Sequence, residues 1–85
     1  MRYAIEFTAG AARDFRKLPS AVQRRIGSRI DSLAVNPRPA GARQLAATEK
    51  LLRIRVGDYR VIYQVLDDLL RVLVVTIGHR RDVYR

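Results

Sequence analysis

Arg53, Arg55 and Arg60 stand on either side of the dipeptide Gly57-Asp58, and their type and spacing suit the binding of a phosphate. A two-residue turn with glycine first pairs Val56 with Tyr59 and sets Arg55 opposite Arg60. Strand alternation then puts Arg53 on the same face, two residues back. Like charges directly opposite in a sheet cost a few tenths to about 1 kcal/mol. A face built only for solubility would more readily interleave carboxylates, so three converging guanidinium groups read as an anion cradle. A solvated charged face is the alternative. Ile62, Leu73, Val75 and Ile77 alternate onto this same face, so it is either a partner surface or an area covered by a loop or the C-terminus.

The tail Gly78-His79-Arg80-Arg81-Asp82-Val83-Tyr84-Arg85 adds further guanidinium groups, a histidine and a tyrosine. An aromatic ring beside phosphate-binding arginines is the pairing used on single-stranded RNA, where the ring stacks a base and the cation holds the backbone. The plainer reading of Tyr84 is a frayed terminal residue. His79 can carry a proton near neutral pH, although a structural hydrogen-bonding role is the commoner use of such a residue.

Composition supports a polyanionic partner. The 85 residues hold 17 Lys plus Arg against 8 Asp plus Glu, a net charge of +9. Fifteen of those 17 are Arg, whose planar fork matches phosphate. Nucleic acid precedes membrane because no basic amphipathic helix stands alone; charge kept for solubility is the competing explanation. Cysteine is absent, which excludes a disulfide scaffold, a thiolate nucleophile and a cysteine zinc site. One histidine leaves too few soft ligands for a transition-metal site, and no cofactor is called for. Apolar runs such as Val72 to Ile77 fall far short of the ~20 residues of a membrane helix, and Glu6 sits where a signal peptide would be apolar. A cytoplasmic protein, a single domain over 1–85, is expected.

The elements that must position these residues follow from periodicity. Tyr3, Ile5 and Phe7 alternate with Arg2, Ala4 and Glu6 as a half-buried strand. Thr8 is placed to cap a helix over 9–18 that presents Ala11, Ala12, Phe15 and Leu18 on one face. After Pro19, Ser20-Ala21-Val22-Gln23 reads as a capping box. The second helix carries Val22, Ile26, Ile30 and Leu33 and stops before Asn36-Pro37. Residues 36–50 show no sustained period; Leu45 is their expected anchor, and the length marks a functional or mobile loop. Three strands follow, with turns at Gly57-Asp58 and Asp67-Asp68 and the last strand over Leu70 to Ile77. The expected class is α+β: an N-terminal strand and an antiparallel two-helix hairpin packed on one face of a mostly antiparallel four-stranded sheet. Leu52, Ile54, Val56, Val61, Val72 and Val74 share the covered face.

The stretch Leu52-Arg53-Ile54-Arg55-Val56-Gly57-Asp58-Tyr59-Arg60-Val61-Ile62-Tyr63, followed by Ile77-Gly78-His79-Arg80-Arg81-Asp82-Val83-Tyr84, resembles the RelE branch of the RelE/ParE toxin superfamily. Phe15-Arg16-Lys17-Leu18-Pro19 and Asn36-Pro37-Arg38 fit the same pattern, so the likeness spans nearly the whole chain. The resemblance implies a microbial RNase-like fold and a toxin that cleaves mRNA in the ribosomal A site without a metal. A C-terminal helix found in some relatives is not expected. Carried over by position, Arg53 and Arg55 stand where the family pattern has lysines, Arg60 matches the arginine after the turn, Arg80 the arginine near the end of the last strand, and Tyr84 the tyrosine that stacks on the substrate base. Arg81 adds to the RNA-binding set.

Cleavage at a 2′-hydroxyl requires removal of that proton, stabilisation of a dianionic pentacoordinate phosphorus and protonation of the 5′ leaving oxygen. Arginines supply the second service. They do not readily accept a proton, which leaves His79 or Tyr84 for acid–base work. The resemblance also implies a cognate antitoxin with an acidic or disordered segment folding over the basic face, with mRNA and the ribosome as targets. Two other readings stand beside it: a ParE-like poison of DNA gyrase, and a non-catalytic basic RNA-binding module.

Overall fold

The computed structural model describes residues 2–45 and 51–79. Its elements are β1 (Ala4–Phe7), α1 (Ala9–Arg16), α2 (Ser20–Ser32), β2 (Arg43–Gln44), β3 (Leu51–Val56), β4 (Tyr59–Leu66) and β5 (Arg71–His79), with a 3-10 turn at Asp67–Leu69. The sheet order is β1-β5-β4-β3-β2. Strand β1 runs parallel to β5 and the other pairs are antiparallel. The four expected strands are present with the helical hairpin, and a two-residue fifth, β2, joins the edge of β3.

Local chemistry starts α1 as anticipated, with the Thr8 hydroxyl oxygen accepting the Ala11 amide at 3.1 Å. The capping box at Ser20 does not form. Pro19 is the cap residue of α2, and no side chain caps it. Gln23 turns away from Ser20 and donates through Nε2 to the carbonyls of Phe15 at 2.9 Å and Arg16 at 3.3 Å. Those acceptors are free carbonyls at the C-terminal end of α1, so Gln23 ties the two helices together instead of closing its own first turn. Gly27 lies against Phe15, where an added Cβ would be 3.6 Å from the ring. Helix α2 ends at Ser32 and tightens through Leu33, Ala34 and Val35, whose amides reach back three residues to Ile30, Asp31 and Ser32.

The core lies between the helices and one sheet face. Ile26 and Ile30 of α2, its C-cap residue Leu33 and Ala11 of α1 meet Ile54, Val56, Val61, Tyr63, Val72 and Val74, with Leu52 and Val22 packed at the margin. One residue changes sides. Ile77 is 4% exposed and belongs to the core, not to the outward face that strict alternation assigns it. The cause is a β-bulge: Ile62 pairs with Thr76 but Tyr63 with Val74, leaving Val75 as the extra residue and reversing the phase beyond it. Helix α1 supports the irregularity. The Thr8 hydroxyl donates to the Val75 carbonyl at 3.1 Å, and the Ile77 amide donates to Asp14 Oδ2 at 3.4 Å.

The segment after α2 is fastened at two adjacent residues, Pro37 and Arg38. The buried Tyr63 hydroxyl donates to the Pro37 carbonyl at 2.7 Å. Arg38 grips Asp67 in a fork, Nη1 to Oδ1 at 3.2 Å and Nη2 to Oδ2 at 2.8 Å, and the Tyr3 hydroxyl donates to Asp67 Oδ1 at 2.8 Å. The Arg38 bond first and the Tyr3 bond second hold the Asp67 carboxyl below its ordinary pKa. Leu45, the expected anchor, is half-buried and its amide donates to the Leu51 carbonyl at 3.0 Å.

Removal of the Tyr63 hydroxyl leaves the Pro37 carbonyl without its buried donor, so Tyr63→Phe is expected to cost about 1–3 kcal/mol in denaturant unfolding. Burial also pushes the Tyr63 phenol up to about 12. An unfolded tyrosine ionises near 10 while the folded one keeps its proton, so this contribution is full below pH 10 and is lost as pH rises towards 12. Unfolding measured across that window should show a shallower decline for Tyr63→Phe than for the parent chain.

Candidate nucleic-acid interface

The turn between β3 and β4 determines what the outward face carries. Gly57 takes φ +61°, a conformation that costs little only without a Cβ. With that turn closed, Val56 pairs with Tyr59 and Arg55 with Arg60. Residues on the inner side of this hairpin, Ile54, Val56 and Val61, enter the core. Their neighbours Arg53, Arg55 and Arg60 are therefore turned to the opposite face. Three of the expected site residues thus share one side of two adjacent strands.

Their environments differ. Arg55 is exposed, Arg53 half-buried and Arg60 only 6% exposed. Arg60 pairs across β4–β5 with Gly78, which brings no side chain to compete for that space. A cleft of about 380 Å³ opens beside them, lined by Arg29, Gly41, Arg43, Arg53 and Arg55. Arg43 on β2 pairs directly with Arg53, so the like-charge opposition of Arg55 and Arg60 is repeated one strand over. Arg29 reaches in from α2, its Nη1 donating to the Arg55 carbonyl at 3.4 Å. No carboxylate lines the cleft among the described residues. Four guanidinium groups around one opening offer both the charge and the forked donors that a phosphodiester accepts.

Arg43 and Arg29 were not legible as site residues. Strand β2 is two residues long, too short to establish a period of two, and Arg29 is one of several exposed arginines along α2. Arg43 returns to the sheet edge shortly after the fastened Pro37–Arg38 segment.

His79 is not brought to the cradle. It pairs with Tyr59, and both belong to the face opposite Arg60. The two rings meet edge to face with centroids 5.6 Å apart at 78°. Arg80, Arg81 and Tyr84 lie outside the described residues. Ile62 and Leu73 do occupy the outward face and are half-buried, whereas Val75 is the half-buried extra residue of the bulge. No group of three or more His, Cys, Asp or Glu side chains that could hold a metal occurs among the described residues, nor is any described helix long and apolar enough to cross a membrane.

Opposed guanidinium groups repel, so relief of one pair should stabilise the fold. Arg55→Gln is expected to raise unfolding stability by a few tenths to about 1 kcal/mol at low ionic strength. The gain should shrink as added salt screens the exposed charges. Thermal melts of both chains across a salt series check this; equal stability at every salt concentration would mean the opposition carries no cost.

Comparison with known proteins agrees with this architecture. A family model described as the ParE toxin of the type II toxin-antitoxin system, parDE, matches residues 5–84. Toxin RelG of Mycobacterium tuberculosis (strain ATCC 25618 / H37Rv) is 33% identical over 89 residues, covering 100% of this chain and 99% of that protein. The mRNA interferase toxin RelE of Escherichia coli (strain K12) is 28% identical over 87 residues, covering 99% of this chain and 92% of that one. Among solved structures, the archaeal RelE-RelB complex from Pyrococcus horikoshii OT3 superposes with a TM-score of 0.83 at 28% identity, over 98% of this chain and 100% of that chain. From its first strand to its tail, the chain belongs to the RelE/ParE superfamily of type II toxin–antitoxin toxins and is RelE-like within it.

Proposed function

We propose that this toxin cleaves mRNA bound to the ribosome, in the cytoplasm, and so halts translation. The observation that carries the reading is the convergence of Arg53, Arg55 and Arg60 on one sheet face, with Arg43 opposite Arg53. Such a concentration of preorganised guanidinium groups fits the charge that develops on a phosphorus under in-line attack. The substrate's own 2′-hydroxyl attacks the adjacent phosphorus, the bond to the 5′ oxygen breaks, and the products are a 2′,3′-cyclic phosphate and a 5′-hydroxyl. Arg53, Arg55 and Arg60, with Arg80 and Arg81 from the tail, stabilise the pentacoordinate dianion, and this electrostatic contribution is usually the largest in such a reaction. They supply positive charge without a metal. Tyr84 stacks a base of the substrate and fixes the bend of the sugar–phosphate chain.

Proton transfer is worth roughly 10²–10⁴-fold. The contact of His79 with Tyr59 on the other face argues against His79 as the base, and arginine is a poor one. Tyr84 then remains the titratable group from the expected set, and orientation of the 2′-hydroxyl by the ribosome carries part of the barrier. A cognate antitoxin whose acidic or disordered segment folds over the basic face keeps the toxin silent; the archaeal relative's structure is that of a RelE-RelB complex. The ParE family match supports a second reading, poisoning of DNA gyrase, which needs no nuclease residues.

Mapping of mRNA 5′ ends after induced expression, with a ribosome-inhibited control, separates the readings. The nuclease reading expects codon-phased cuts that vanish in the control and fall by roughly 10²–10³ for Arg55→Ala. Intact mRNA with trapped DNA breaks would establish the gyrase reading instead. Growth arrest should be abolished by Arg80→Ala and by Tyr84→Ala, with circular dichroism unchanged; full toxicity in both variants would remove these residues from the site.

A further inference from the structure

The basic surface does not end at the cleft. A second cavity, about 480 Å³, lies on the far side of Arg29 and is lined by Arg24, Arg25, Ser28, Arg29, Val56 and Gly57. Positions 24, 25, 28 and 29 share one side of α2, being neighbours at helical spacing. Arg29 lines both cavities, so the guanidinium groups of Arg24 and Arg25 continue the row formed by Arg29, Arg55, Arg53 and Arg43. The Arg25 guanidinium lies over the β3–β4 turn, where a Cβ added at Gly57 would stand 2.8 Å from its Nη2. The glycine that closes the turn therefore also leaves the space in which Arg25 rests against the backbone. Among the described residues no carboxylate lines either cavity, although Asp58 adjoins Gly57 in the turn.

We infer that Arg24, Arg25 and Arg29 form a second phosphate-binding segment, which holds the RNA backbone flanking the strand in the arginine cleft. The inference rests on the nucleic-acid reading above and extends it to residues outside the reacting site. A linear polyanion fits this row better than a compact anion does, because the cations are strung around the sheet edge and do not close on one point. Both cavities are open to a chain that enters over α2, passes Arg29 and continues across β3. Arg24 and Arg25 add affinity and direction to the bound strand without touching the scissile phosphate.

Binding of a 20-nucleotide 2′-O-methyl RNA, which cannot be cleaved through its 2′ position, measured across a salt series, tests the assignment. Each phosphate contact contributes about 0.7 to the log–log salt slope on a single strand. The double variant Arg24→Gln/Arg25→Gln should flatten the slope by about 1.4, with weaker binding at low salt. Arg13→Gln/Arg16→Gln on α1 makes the same charge change away from the row and should flatten it by less than half as much. Glutamine keeps the helix propensity of arginine, and thermal melts confirm that both variants fold. Equal slopes for the two variants would reduce the row to general charge and overturn the assignment. So would a loss confined to an acidic peptide with RNA binding intact, since the surface would then belong to a protein partner. A chain that binds with the expected slopes but never cuts mRNA would sink the nuclease reading and leave this segment standing; cutting with an unchanged slope would do the reverse.

Discussion

Two opposed demands on one hairpin govern this molecule. On the inner face of β3 and β4, Ile54, Val56, Val61 and Tyr63 are driven into contact with α1 and α2. On the outer face the same register forces Arg55 against Arg60, and across β2 it forces Arg43 against Arg53. The second arrangement depends on the first. A one-residue slip would bury the arginines and expose the apolar set, so the apolar burial fixes a pairing that electrostatics disfavours. The repulsion is held in place by the core.

The rest of the fold serves this arrangement. The bulge at Val75 turns Ile77 inward and leaves Gly78 opposite Arg60, so the buried guanidinium faces a residue without a side chain. Thr8, the N-cap of α1, and Asp14 within it satisfy backbone groups at the bulge. At the other edge, Tyr63 and Asp67 fasten Pro37 and Arg38, shortly before the chain returns to the sheet at Arg43. The exposed Arg38–Asp67 pair contributes little by itself; the buried Tyr63 bond is the stronger of the two restraints.

Much of this was readable from the residues because it depends on period and turn chemistry. Gly57-Asp58 places Arg55 opposite Arg60 without knowledge of anything distant, and Val22, Ile26, Ile30 and Leu33 mark their helix face by spacing alone. The parts that escaped depend on partners far along the chain. Nothing local announces that Val75 bulges, since the cause includes Thr8 and Asp14 some 60 residues earlier. Ser20 and Gln23 have the spacing of a capping box, yet the free carbonyls of α1 draw Gln23 away. His79 looked available beside the arginines; whether it faces them is a matter of strand phase, and the phase had shifted at the bulge. Arg29 and Arg43 carried no signal because only the tertiary fold brings them to the cleft.

Whether guanidinium groups from neighbouring strands act as one receptor for a phosphodiester can be measured directly. Arginine Nε–Hε signals followed by NMR during titration with a 2′-O-methyl dinucleotide report each group separately. Arg43, Arg53, Arg55 and Arg60 are expected to shift together along a single saturation curve if they form one receptor. Shifts scattered over arginines on all sides of the molecule, each with its own midpoint, would contradict it.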